Sequence, residues 1–147
     1  MSYFIYQKNN NDSEGNLYRI AENEFDLNNL NIMLSEYKII QNTQENFNAV
    51  KFGTKFPVEY NNTITFLDQT LSFKNKEGLQ NQVNNLKKQI KEFTNNNLNH
   101  PLYNRWNSYY DQLNNLNLDS ITYPFNKSLE QYFNDLGQPS YNILQLP

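Results

Sequence analysis

Two apolar stripes flank a loop that no single helix can cross, and this most constrains the fold. Leu79, Val83, Leu86, Ile90 and Phe93 recur at steps of four and three residues. After Asn95-Asn96-Asn97 and His100-Pro101 a second set follows: Leu102, Trp106, Tyr109, Leu113 and Leu116. Steps of three and four place side chains on one side of an α-helix, and each such stripe must be covered by something. Proline cannot sit in a helix interior but suits a first turn. The pattern predicts two antiparallel helices, 77–97 and 101–116, joined by a short loop, with Trp106 packed near Leu86 or Ile90.

The residues before this hairpin read as strands. Tyr3 to Gln7 is rich in β-prone side chains, and Lys8 to Asn16, with Gly15, reads as a polar turn. Leu17 to Ile20 then returns. Phe25, Leu27, Leu30 and Ile32 have mixed spacing, which fits irregular structure or one short turn of helix. Tyr37 to Ile40 is a further strand. Thr43 can cap a short helix carrying Phe47 and Val50, with Gly53 closing it in the left-handed conformation. Phe56 to Tyr60, Asn61-Asn62 and Thr63 to Leu67 form the clearest hairpin, because two Asn residues tolerate the positive φ of a type I′ turn. Val58 and Tyr60 alternate on one arm, Ile64 and Phe66 on the other. Pro57 marks an edge or the beginning of its arm. Leu71 and Phe73 either continue the sheet or link it to the helices.

Beyond the hairpin, Asn126 to Leu136 reads as a third helix with a Ser128/Gln131 capping box, closed by Gly137 and Pro139. Tyr141 to Pro147 reads as an extended apolar tail. The expected class is therefore α+β: a small antiparallel β-rich head (1–73), a helical region (77–136, with helices 77–97, 101–116 and 126–136) and an extended tail (137–147).

Composition excludes more than it assigns. The chain has 147 residues and a net charge of −3, without the basic stripe of a nucleic-acid binder. It has no cysteine, so thiolate metal sites are ruled out. No apolar run approaches the ~18 residues of a membrane span, and Met1 to Tyr6 lacks the charged leader of a signal peptide. About one residue in five is Asn; with Lys, Ile, Tyr and Phe also frequent, this is the codon bias of an AT-rich genome. The aromatic share of 15% and the periodic apolar residues argue for a folded chain.

Catalytic chemistry finds no constellation. His100 is the single histidine and lies before Pro101, so it reads as structural. The four glycines fall at turns or helix ends, and no phosphate-cradling loop is present. Glu92 and Asp111 stand on opposite helices and read as solvated. Lys74, Lys76, Lys87, Lys88 and Lys91 cluster in sequence and read as a solvated face. Asn61-Asn62-Thr63 and Asn126-Lys127-Ser128 match the glycosylation pattern by chance in so Asn-rich a chain. No catalytic residue, metal ligand or cofactor is expected. The expected partner interface is Tyr103 and Tyr110, which flank the buried stripe, with Tyr141, Ile143, Leu144 and Leu146 of the tail. The tail is expected to dock along the edge of the β head, on an adjacent copy or on another protein.

Trp106 to Leu116 resembles the W-x-x-Y-x-x-x-L-x-x-[LI] helix near the end of phage tail-fibre assembly (tail assembly chaperone) proteins. There too a helix with an apolar stripe precedes it, here Gln80 to Phe93. The chain departs from that family at Phe93-Thr94-Asn95, where the family has an Asp-Trp turn, and in continuing from Ser120 to Pro147. The Asn-rich, AT-biased style is similar to small virion proteins of marine phages. The resemblance implies a non-enzymatic phage protein acting by contact with other phage structural proteins or copies of itself. It would be located in the virion, or in the host cytoplasm during assembly. The alternatives are an assembly chaperone absent from the particle and a small nucleic-acid-binding protein.

Overall fold

The computed structural model describes residues 1–8 and 14–147. The chain is α+β and divides into two compact units, Met1–Gln69 and Thr70–Leu146. The tail as far as Leu146 belongs to the second unit, and Pro147 is grouped with the first.

In the first unit, strands β1 (Ser2–Gln7) and β2 (Glu14–Ala21) are followed by helix α1 (Glu24–Asn28), β3 (Tyr37–Asn42), α2 (Gln44–Lys51), β4 (Lys55–Tyr60) and β5 (Thr63–Asp68). They form one antiparallel sheet in the order β3-β1-β2-β4-β5. Of the expected turn from Lys8 to Asn16, residues 9–13 lie outside the described residues. The remainder differs from the expectation, since Gly15 and Asn16 are already in β2. Helix α1 is the short turn of helix that the spacing of Phe25 and Leu27 allows. Asn23 caps it by accepting from the Asp26 N–H at 2.8 Å.

Side chains pack on both faces of the sheet. On one, Tyr3, Ile5, Ala21 and Leu30 pack with Leu27, Ile32 and Tyr37. A bulge opposite Ile5 and Tyr6 puts Tyr18 against Tyr37, ring centroids 5.0 Å apart. The other face carries Phe4, Tyr6 and Ile20, all fully buried. Helix α2 lies on that side, where Ser2 Oγ meets Gln44 Oε1 at 3.1 Å. As expected, Thr43 accepts from the Asn46 N–H at 3.2 Å, and Gly53, at φ 77°, follows the helix.

The β4–β5 hairpin turns at Asn61 (φ 49°) and Asn62 (φ 66°), as the sequence predicts. On β5 Ile64 and Phe66 are the half-buried residues, as alternation suggests, and Phe66 meets Phe4 edge-on at 5.7 Å, but the facing of β4 is the reverse. Pro57 and Glu59 are the buried residues of β4, whereas Val58 is half-buried and Tyr60 exposed. Pro57 is tolerated because the β2–β4 ladder pairs only Glu14 with Tyr60 and Gly15 with Glu59, at the far end of the strand.

The second unit is helical. Phe73 does not extend the sheet; it bridges to Phe125, with N–H···O bonds of 2.7 and 2.8 Å in the two directions. Asn75 caps α3 (Lys76–Asn96) through the Gly78 N–H at 3.0 Å. Helix α4 covers Tyr103–Asn114, shorter than predicted at both ends. Pro101 precedes it instead of opening it, because the loop holds Leu102 back: its N–H donates to His100 Nδ1 at 3.0 Å. After a 3-10 turn at Leu118–Ser120 comes α5 (Leu129–Asp135). Ser128 accepts from the Gln131 N–H at 3.0 Å, but the Gln131 amide donates onward to Asp135, so only half of the expected capping box forms. Leu79, Val83, Leu86, Ile90 and Phe93 share one core with Leu102, Trp106, Tyr109, Leu113, Leu129 and Phe133, as the two stripes require.

Candidate interaction surfaces

The tail is the clearest correction. It is not extended: Ile143–Gln145 forms a 3-10 turn held by a capping box between Asn142 and Gln145, with the Asn142 N–H donating to Gln145 Oε1 at 2.8 Å. Its apolar side chains are partly taken up by its own helices. Leu146 is buried in the helical core, and Tyr141 and Ile143 pack against it. The Tyr141 ring lies 5.4 Å from Trp106 and 5.3 Å from Tyr109, with the Arg105 guanidinium 5.1 Å over it. Leu144 is half-buried. Gly137 makes the reversal possible. At φ 71° it closes α5 in a conformation that disfavours a side chain, and Gln112 then holds Pro139 O at 2.7 Å. The physical reason for the correction is that the tail is long enough to turn back onto its own helices.

Tyr103 and Tyr110 are both half-buried, but in different settings. Tyr110 lies in a groove of about 410 Å³ lined by Asn84, Lys87, Lys88, Lys91, Glu92 and Asn95. Lys87 Nζ and Lys91 Nζ stand 5.7 and 5.3 Å from its ring centroid. This pairing follows from helix geometry: Lys87 and Lys91 are one turn apart on α3, beside the buried stripe and facing α4. Sequence reasoning named the lysines and Tyr110 separately and did not bring them together. The signal available was the shared flank of the two stripes.

His100 is structural, as expected: besides its bond from Leu102, its ring meets Phe93 edge-on at 5.1 Å. Glu92 and Asp111 are exposed. Among the described residues no group of three His, Cys, Asp or Glu is placed to hold a metal ion. Among the described residues no helix is long and apolar enough to cross a membrane.

A further surface, missed in the sequence, is the outer side of the β4–β5 hairpin. Phe56 and Leu67 are directly paired across the strands and are 45% and 49% exposed; Tyr60, on the same side at the turn end of β4, is 59% exposed. Their outward facing is tied to Glu59. This carboxylate, fully buried, pairs with Lys38 and accepts from the Gly15 N–H at 3.1 Å. Tyr6, pushed up in pKa by burial and then by the nearby Glu59 charge, donates to Pro57 O at 3.1 Å. The missing side chain at Gly15 matters here, since a Cβ would lie 3.0 Å from that of Tyr6.

Comparison of the chain with protein-family models, with curated proteins and with solved structures finds no match.

Proposed function

We propose that the chain is a non-enzymatic phage protein that works by protein–protein contact, as a component of the virion in its tail, fibre or capsid attachment. The observation that carries the contact reading is the outward apolar side of the β4–β5 hairpin. Phe56 and Leu67 lie together, with Tyr60 farther along the same side, on a strand pair whose outer member, β5, ends the sheet. Grouped exposed apolar side chains at a sheet end are what a partner covers. The phage assignment rests on the resemblance of Trp106 to Leu116. The test is mass spectrometry of purified particles with copy number, together with the double variant Phe56→Ser/Leu67→Ser. Presence at stoichiometric copy number, lost in a variant that still folds, is the expected result. The same W-x-x-Y-x-x-x-L helix favours a second reading, a tail-fibre assembly chaperone. In that case the protein is abundant in infected cells and absent from particles. Absence from both, with a monomer in solution, overturns the contact reading.

A further inference from the structure

The groove between α3 and α4 holds a surplus of positive charge. Lys87, Lys88 and Lys91 all line it, and none is ion-paired among the described residues. Lys87 and Lys91 repel each other at a spacing of one helical turn, and their ammonium groups share a single ring, that of Tyr110. Glu92 is the one acidic residue of the lining, which leaves a local surplus of positive charge on a chain whose net charge is −3. Asn84 and Asn95 add amide groups at the rim, and the Tyr110 ring supplies an apolar wall.

We propose that this groove docks an acidic segment of a partner protein, with two or three carboxylates spaced closely enough to meet Lys87, Lys88 and Lys91 together. Charge complementarity selects the occupant. A nucleic-acid duplex needs cations spread along its backbone, and it would be repelled by the acidic remainder of this chain. A short acidic peptide needs only the groove. The inference goes beyond the hairpin contact: it names a second surface, in the other unit, with electrostatic chemistry in place of apolar chemistry. The two are tested by separate variants, so either can fail alone.

The experiment uses the full chain and a fluorescent peptide of alternating Glu and Gly, with binding read by anisotropy across a salt series. A single-stranded oligonucleotide of equal charge serves as the competing probe. Each exposed ion pair contributes a few-fold, so replacing three lysines is expected to weaken peptide binding roughly tenfold or more. That is the expected outcome for Lys87→Gln/Lys88→Gln/Lys91→Gln, with a flattened salt dependence. Lys88→Gln alone, which leaves both Tyr110 contacts intact, is expected to weaken binding by a smaller factor and guards against a folding defect in the triple variant. Peptide binding that is undetectable, or equal in wild type and both variants, overturns the proposal. Tighter binding of the oligonucleotide than of the peptide overturns it in favour of a nucleic-acid partner.

Discussion

Trp106→Ala is the sharpest test of the helical unit. The indole is fully buried, with ring centroids 6.0 Å from Tyr109 and 5.4 Å from Tyr141. A buried Trp removes roughly 150–250 Å² from water. At about 25 cal/mol per Å² that is ~4–6 kcal/mol, and a compact unfolded chain trims it by ~10–40%. The indole N–H meets no acceptor among the described residues, so truncation forfeits packing and no hydrogen bond. The expected loss is therefore roughly 3–5 kcal/mol, in line with large aromatic truncations in other cores. Trp106 is the chain's single tryptophan, so wild-type fluorescence reports on the second unit alone, while the variant must be followed by circular dichroism. Leu98→Ala, at a side chain 67% exposed, is the control and is expected to stay within ~0.5 kcal/mol. A loss below ~1 kcal/mol for Trp106→Ala in urea melts would refute the shared core of the two stripes.

Deleting Ser140 to Pro147 removes buried Leu146 and the Tyr141 ring contacts, and is expected to destabilise the helical unit by roughly 3 kcal/mol or more. An unchanged melt with lost self-association would instead assign the tail to a partner. Alkaline pH is expected to lower the melting temperature. Burial raises the pKa of Tyr6 and Tyr109 above the ordinary 10.0, so both stay protonated in the fold. Unfolding then releases protons once pH exceeds 10, so this stability is complete below that value and falls as pH rises. Tyrosinate absorbance in the folded protein checks it: ionisation of all eleven tyrosines near the ordinary pKa, with the fold intact, would contradict the burial. Asn62→Ala is expected to cost ~1–2 kcal/mol and Asn62→Gly almost nothing, because φ is 66° there; equal urea midpoints would rule out the type I′ turn.

The helical unit was largely legible because its signals are local and periodic. Steps of three and four residues locate α3 and α4, Asn or Ser side chains cap α3 and α5, and Gly137 stops α5. Details differ where a side chain takes another partner. The His100 bond to Leu102 delays α4, and Gln131 turns to Asp135 instead of completing its box. The tail was misread for a similar reason. Its apolar residues announced burial, but nothing in Tyr141 to Pro147 says which surface covers them. The groove requires the flanks of two helices to be placed side by side.

The β4–β5 hairpin was misread for a deeper reason, which also bears on function. Alternation alone puts Val58 and Tyr60 inside and leaves Glu59 in water, and a shift of one residue exchanges the two faces. The sheet takes the other choice. Lys38 on β3 reaches Glu59 on β4 across the two intervening strands, so the sheet must curl around the pair. Burying a carboxylate is costly unless it is paired and hydrogen-bonded, and here Lys38 and the Gly15 N–H supply both. Removing one partner would strand a buried charge, whereas no local sequence signal reveals that the pair exists. Stability alone would favour apolar residues within and Glu59 without. A sequence that breaks local consistency in this way usually does so where a surface is used. With Glu59 held inside by Lys38, the alternate residues Phe56 and Tyr60, and Leu67 opposite Phe56, face outward.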